Sequence, residues 1–173
     1  MEILRKSKMK FVFELYRASS KSKNIPKAKK LILNSNDNMH PQQKAKFVGK
    51  LRALAHAQAI SQVVGDTKLV KQVSGRKGKG KTSYLTQFVT PQYDKHKPCG
   101  VVLTMFPPTN RCSDPDNLQP TLKAFMDGLT DANFWPDDNH EIVKFTKYQY
   151  GGLSGSKGYR LEIEISEVSD GSN

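Results

Sequence analysis

Hydrophobic and polar positions along the chain follow two periods, and each period predicts one kind of element. Alternating or short continuous apolar runs, rich in β-branched and aromatic residues, predict strands. These runs lie at 9–16, 31–33, 83–90, 100–106, 142–150 and 159–165. Helical spacing predicts one helix that begins at Pro41, where proline suits the first turn, and ends at Gly65. A second helix begins near Gln119 and ends at about Ala132, because Pro120 has no N–H for an interior turn.

The order of these elements, β-β-α-β-β-α-β-β, predicts an α/β (α+β) fold, with a mixed β-sheet and two main helices packed on it. The last two strands are predicted to form a hairpin through the glycine- and serine-rich turn at 151–158. Residues 1–27 are assigned to a basic N-terminal strand or arm, 28–168 to a single domain and 169–173 to a disordered tail.

Length and composition narrow the class of protein. A chain of 173 residues fits one domain that buries a core without a disulfide or a structural metal. The two cysteines, Cys99 and Cys112, exclude a disulfide framework and indicate a reducing compartment, so we expect a cytoplasmic protein. No apolar run approaches the ~20 residues of a membrane span, so no membrane partner is expected.

The charge is uneven along the chain, whose net charge is +12. Residues 1–97 hold 22 basic and 5 acidic residues, whereas residues 98–173 hold 6 and 11. A basic segment can neutralise phosphates and release their counterions. Carboxylates repel phosphates unless a divalent cation lies between them, so the combination indicates a metal-dependent enzyme acting on nucleic acid. A solvated acidic face without function is the alternative interpretation.

The segment Gly-Arg-Lys-Gly-Lys-Gly-Lys-Thr at 75–82 matches the phosphate-loop pattern of nucleotide-binding proteins. That mechanism needs a helix after the loop, so that the helix N-terminus faces the phosphates. The next residues are β-branched and aromatic and end at Pro91, which is typical of a strand. We therefore expect a flexible basic loop and no nucleotide cofactor. The basic side chains of this loop are candidates for binding the DNA backbone, and so is Lys44 of the first helix. The loop residues are Arg76, Lys77, Lys79 and Lys81.

The candidate catalytic side chains are concentrated between residues 111 and 138, where carboxylates flank the second helix. Asp114 and Asp116 follow a buried strand, and Asp137 and Asp138 come just after the helix. A reversal after the helix would let Asp138 approach the first two. Clustered carboxylates repel one another unless they are protonated or bind a cation, and hard oxygen ligands suit Mg²⁺ or Mn²⁺.

Each of these residues also has a purely structural interpretation. Asp114 suits a helix N-cap, and Asp137 and Asp138 suit a turn after proline. Lys123 lies four residues before Asp127 and can form an ordinary ion pair along the helix, or touch a phosphate or a metal-bound carboxylate. The aromatic pair at 134–135 is interpreted as a core anchor rather than a base-stacking surface.

Together these residues resemble the RusA family of Holliday-junction resolvases. The pattern is Asp-Pro-Asp-Asn-Leu at 114–118, a helix with Lys123 and Asp127, and Phe-Trp-Pro-Asp-Asp at 134–138. The resemblance covers about 100–168 and is weaker upstream. It implies a homodimeric, Mg²⁺-dependent endonuclease, with Mn²⁺ as a substitute, in one nuclease domain at 28–168. Compared with the family pattern, this chain has three extra residues, including Pro120, between the Asp-Asn-Leu turn and Lys123.

The resemblance also implies roles for individual residues. The catalytic set is Asp114, Asp116, Asp138 and Lys123, with the three carboxylates as metal ligands. Secondary candidates are Asn117, Asp137 and Asp127. The expected function is resolution of four-way DNA junctions by paired, symmetric nicks. A non-catalytic basic nucleic-acid-binding module, a nuclease that prefers flap or other branched DNA, and a nucleotide hydrolase are the alternatives.

Overall fold

The computed structural model describes residues 8–75, 80–111 and 113–169, and a five-stranded mixed sheet forms its centre. Along the chain the elements are β1 (Lys8–Arg17), β2 (Lys30–Ile32), α1 (Pro41–Gln62), β3 (Thr67–Ser74), β4 (Lys81–Phe88), β5 (Cys99–Phe106), α2 (Gln119–Asp131), β6 (Val143–Tyr150) and β7 (Tyr159–Glu167). Two short 3₁₀ helices, Lys27–Lys29 and Pro115–Leu118, precede β2 and α2. The predicted α+β class, with a mixed sheet and two main helices, is confirmed.

The strand order of the large sheet is β2-β1-β7-β5-β6. The predicted hairpin of the last two strands is therefore wrong, because β5 lies between β6 and β7 and pairs with both. The connection from β6 to β7 crosses the end of β5, where the Gly151 N–H donates to the Met105 carbonyl at 2.9 Å. A Cβ at Gly151 would lie 2.5 Å from the Phe106 ring, so the crossing depends on glycine at this position.

One face of the large sheet is apolar and carries the core. The alternation predicted for the last strand is confirmed, because Leu161, Ile163 and Ile165 are buried and the residues between them are not. Helix α2 packs on this face, where Phe125 stacks against Phe13 of β1 with ring centroids 4.4 Å apart. Helix α1 packs against α2, and a Cβ at Gly128 would lie 2.3 Å from the Arg52 carbonyl oxygen. The absence of a side chain at Gly128 thus permits the close approach of the two helices.

Strand β1 is an integral part of the sheet. It pairs antiparallel with β7 from Lys8–Ser166 to Leu15–Tyr159 and lies between β7 and β2. The strand predicted at 9–16 is confirmed. In the part of the chain that the structure describes, neither helix combines the length and the apolar character needed to cross a bilayer.

Strand β3 was not predicted from the sequence. It pairs antiparallel with β4 in a separate two-stranded sheet, hereafter the β3–β4 ribbon. Leu69, Val73 and Tyr84 of the ribbon are 66–70% exposed. A strand that is exposed on both faces lacks the alternation that identifies a half-buried one. Strand β4 begins at Lys81, at the end of the phosphate-loop pattern, and the prediction of a strand rather than a helix there is confirmed.

Candidate active site

The two carboxylates after β5 lie on the 3₁₀ helix at 115–118. Asp114 is its N-cap residue, Asp116 lies in its first turn, and both are exposed. The short helix is fixed by its backbone, because the Asn117 N–H donates to the Asp114 carbonyl at 3.1 Å and the Asn117 carbonyl accepts from Ser35 N–H at 2.8 Å. Within the described residues, the Asp114 side chain makes no capping hydrogen bond. Asp114 thus occupies a cap position while its carboxylate faces solvent.

Asp116 lies near Tyr148 of β6. Burial raises the pKa of the Tyr148 phenol, and the negative charge of Asp116 raises it further. The 3₁₀ helix packs against both β5 and β6. Tyr148 is half-buried at this junction. Sequence reasoning did not select it, because an aromatic residue in a strand is typical of packing.

Lys123 of α2 connects two candidate carboxylates. Its Nζ donates to Asp138 Oδ2 at 2.5 Å and lies 3.0 Å from Asp127 Oδ1, one helical turn further along α2. The Asp138 side chain is 17% exposed and that of Lys123 is 54% exposed. Partial burial lowers the pKa of Lys123, but the two carboxylates outweigh it, and the pKa is raised. The lysine is therefore a cation at neutral pH, with Asp138 as its least exposed partner.

Asp138 reaches Lys123 because the chain reverses just after α2. Asn133 has a left-handed φ of 54°, a conformation that asparagine tolerates well, and its side-chain amide donates to the Phe88 carbonyl at 2.8 Å. Phe134 and Trp135 are fully buried, and Trp135 Nε1 donates to Thr130 Oγ1 at 2.8 Å. The interpretation of this aromatic pair as a core anchor is confirmed. The anchor fixes the position of the residues that follow it.

Asp137 and Asn117 have local structural contacts. Asp137 Oδ1 accepts from the Asp138 N–H at 2.9 Å, and Oδ2 accepts from the Asn139 side chain at 3.3 Å. Asp137 is exposed and stabilises the turn, as its position after proline suggests. Asn117 contributes its backbone carbonyl to Ser35.

The structure brings together Lys123, Asp127 and Asp138. Among residues 8–75, 80–111 and 113–169, it contains no group of three or more His, Cys, Asp or Glu side chains arranged to hold a metal ion. Asp114, Asp116 and Asp138 are therefore not assembled as a three-carboxylate cluster, and Asp138 instead binds the Lys123 ammonium. The donor chemistry still fits Mg²⁺ or Mn²⁺, because exposed carboxylate oxygens are the ligands that these ions prefer.

The candidate DNA-binding residues have separate locations. Lys44 is exposed in the first turn of α1, and Lys81 is exposed as the first residue of β4. Arg76, Lys77 and Lys79 lie outside the described residues.

The fold and the site define a mixed α+β protein with a helix-borne lysine bound to carboxylates beside the sheet. No protein-family model matches the chain. Over 61 residues, the chain is 41% identical to the crossover junction endodeoxyribonuclease RusA of Escherichia coli K12 and to those of Enterobacteria phage 82 and Shigella sonnei Ss046. This segment is 35% of the chain and 45% of each relative, so the match spans less than half of those proteins. The resemblance to the RusA family is supported over that segment.

Proposed function

We propose that the chain is a Mg²⁺-dependent endonuclease that resolves four-way DNA junctions by paired, symmetric nicks. The observation that carries this proposal is the 61-residue similarity to crossover junction endodeoxyribonucleases of bacteria and a phage. The charge distribution supports it, because the chain has a net charge of +12 and yet carries exposed carboxylates around α2. Exposed carboxylates beside a polyanion favour a divalent cation between the two.

In this proposal Asp114, Asp116 and Asp138, which the structure does not group, would come together to hold the metal ion, and Mn²⁺ would substitute for Mg²⁺. When held by these carboxylates, the ion would supply positive charge at the phosphodiester and a Lewis acid for a water molecule. Lys123 holds the Asp138 carboxylate in position and presents a positive charge to the phosphate. The raised pKa of Lys123 supports this role, because the amine keeps its proton at neutral pH.

The proposed assembly is a homodimer that acts on branched DNA in the cytoplasm. A four-way junction has near two-fold symmetry, and a two-fold dimer presents two matching sites to it. Selection of the junction then depends on its branched shape and backbone contacts rather than on base edges.

The decisive variant is Asp116→Asn, which removes one carboxylate charge with little change of shape. We expect it to abolish cleavage of a labelled four-way junction in Mg²⁺ while junction binding is kept. Asp66→Asn is the matched control, because Asp66 is exposed and lies outside the site. Normal cleavage by Asp116→Asn would refute the proposed metal site.

The substrate panel separates the alternatives. Wild-type protein is incubated with four-way, flap, linear duplex and single-stranded DNA, with and without Mg²⁺. Preferred cleavage of the four-way junction supports the proposal, and preferred cleavage of the flap indicates a different branched-DNA nuclease. Binding without any product under Mg²⁺ or Mn²⁺ indicates a non-catalytic module.

A further inference from the structure

A polar cavity of about 450 Å³ lies beside the 3₁₀ helix at 115–118. It is formed by the end of β1, the segment that follows β5 and the start of β7. Among the described residues, the lining combines two guanidinium groups with three hydroxyl groups and one proline, and includes no carboxylate. The lining residues are Arg17, Pro107, Thr109, Arg111, Ser113 and Tyr159.

Arg17 is held on one side only. One of its terminal nitrogens, Nη2, donates to Asp37 Oδ1. Asp37 is itself fixed, because its other oxygen, Oδ2, accepts from the Asn34 N–H at 2.9 Å. The guanidinium therefore has a set orientation at the end of β1.

The Nε–H of Arg17 is a buried donor for which the described residues provide no acceptor. This N–H is closed to solvent, so it reports on the state of the guanidinium without itself contacting a ligand. Arg111 is exposed, and no ion pair involves it in the part of the chain that the structure describes. Because Asp37 compensates the charge of Arg17, Arg111 supplies the uncompensated positive charge of the cavity.

This donor set matches a tetrahedral oxyanion. Guanidinium groups bind phosphate through paired N–H donors, and serine, threonine and tyrosine hydroxyls donate to its remaining oxygens. Ser113 lines the cavity and directly precedes Asp114. A phosphate held there lies next to the carboxylate proposed to hold the metal ion.

We infer that this cavity binds a DNA backbone phosphate next to the scissile one, through the Arg111 guanidinium and the accessible part of the Arg17 guanidinium. The identification of DNA as the source of this phosphate rests on the proposed function. Inorganic phosphate has the same chemistry as a backbone phosphate, so the experiment titrates DNA and inorganic phosphate separately. The site fixes the register of the backbone relative to Asp114.

The direct probe is the Arg17 Nε–H resonance of the full ¹⁵N-labelled chain, recorded without divalent metal so that no cleavage occurs. A short duplex and inorganic phosphate are titrated separately. We expect saturable shifts of this resonance with the duplex. Arg52 is the internal control, because its Nε already donates to Asp131 at 3.0 Å.

Variants test the same inference through DNA affinity. Arg17→Gln and Arg111→Gln are each expected to weaken binding about tenfold and to reduce the salt slope by about 0.9, the value for one phosphate contact. Arg52→Gln is the matched control, because Arg52 is also a partly exposed arginine paired with an aspartate. It is expected to bind DNA as wild type does.

The outcomes are distinct from those for the proposed function. If DNA binds with no Arg17 Nε–H shift, and Arg17→Gln, Arg111→Gln and Arg52→Gln bind alike, the cavity inference is overturned while the nuclease proposal stands. A shift with inorganic phosphate and none with DNA also overturns it. A saturable shift with DNA, combined with no cleavage of any DNA in Mg²⁺, supports the cavity site and refutes the nuclease proposal.

Discussion

One buried hydroxyl fastens the start of α2 to the segment after β2, and its removal should destabilise the fold. Thr121 is fully buried, and its Oγ1 donates to the Leu33 carbonyl at 2.7 Å and accepts from the Leu33 N–H at 2.9 Å. Leu33 is 1% exposed, so water does not replace these bonds. Thr121→Val keeps the shape of the side chain and leaves both backbone groups of Leu33 without a partner.

The cost follows from those two groups. Each buried backbone group without a partner costs about 1–3 kcal/mol. Burial of the added methyl group in valine returns about 0.8 kcal/mol. The net loss is about 1–5 kcal/mol, and we expect Thr121→Val to lower the free energy of unfolding by roughly 2–4 kcal/mol, the middle of that range. For a chain of this size, that corresponds to a fall in Tm of roughly 5–15 °C.

Urea unfolding followed by circular dichroism measures this loss. Thr121→Ser is the matched control, because it keeps the hydroxyl and loses only one methyl group, at about 1 kcal/mol. A Thr121→Val variant within about 1 kcal/mol of wild type would refute the reasoning. So would a Thr121→Ser variant as unstable as Thr121→Val, because packing rather than hydrogen bonding would then dominate at this position.

Two further predictions concern charge. Folding raises the pKa of Lys123, so its stabilising contribution is complete below the unfolded value of about 10.4 and is lost as pH rises through the folded value. The free energy of unfolding measured between pH 8 and pH 12 should therefore fall less steeply in Asp138→Asn than in wild type, and equal slopes would contradict this. Neutralising the four basic residues of the 75–82 segment should weaken DNA binding and flatten its salt dependence by about 0.9 for each phosphate that the variant no longer neutralises, whereas an unchanged slope removes this segment from the interface. These residues are Arg76, Lys77, Lys79 and Lys81.

Local rules predicted the helix that carries the site. Pro120 has no N–H, so the regular helix was expected to begin near Gln119 after an irregular turn, and a 3₁₀ helix does end at Leu118. The Lys123–Asp127 ion pair was expected from the four-residue spacing and is present at 3.0 Å. These features depend on residues close in sequence.

Pairing between distant segments was not predictable in the same way. The last two strands are neighbours in sequence, and only their separate pairing with β5 shows that they are not neighbours in the sheet. A reversal that brings Asp138 toward Asp114 and Asp116 was expected, but the partner of Asp138 in the structure is the Lys123 ammonium rather than another carboxylate. A carboxylate near an ammonium is stabilised, whereas one near other carboxylates needs a cation. Sequence spacing does not distinguish these two arrangements.

The division of charge along the chain does not correspond to two separate surfaces. Lys8 and Lys10 belong to the basic first part of the sequence, yet they pair across strands with Glu164 and Glu162 of β7 at 3.1 and 3.0 Å. Such compensated lysines attract DNA less than the count of basic residues suggests, because each carries its own carboxylate. Arg17, also from the first part, is likewise paired with Asp37, whereas Arg111 from the second part lines the same cavity with no ion pair among the described residues. The effect of the basic first part on a polyanion therefore depends on which cations the fold leaves uncompensated.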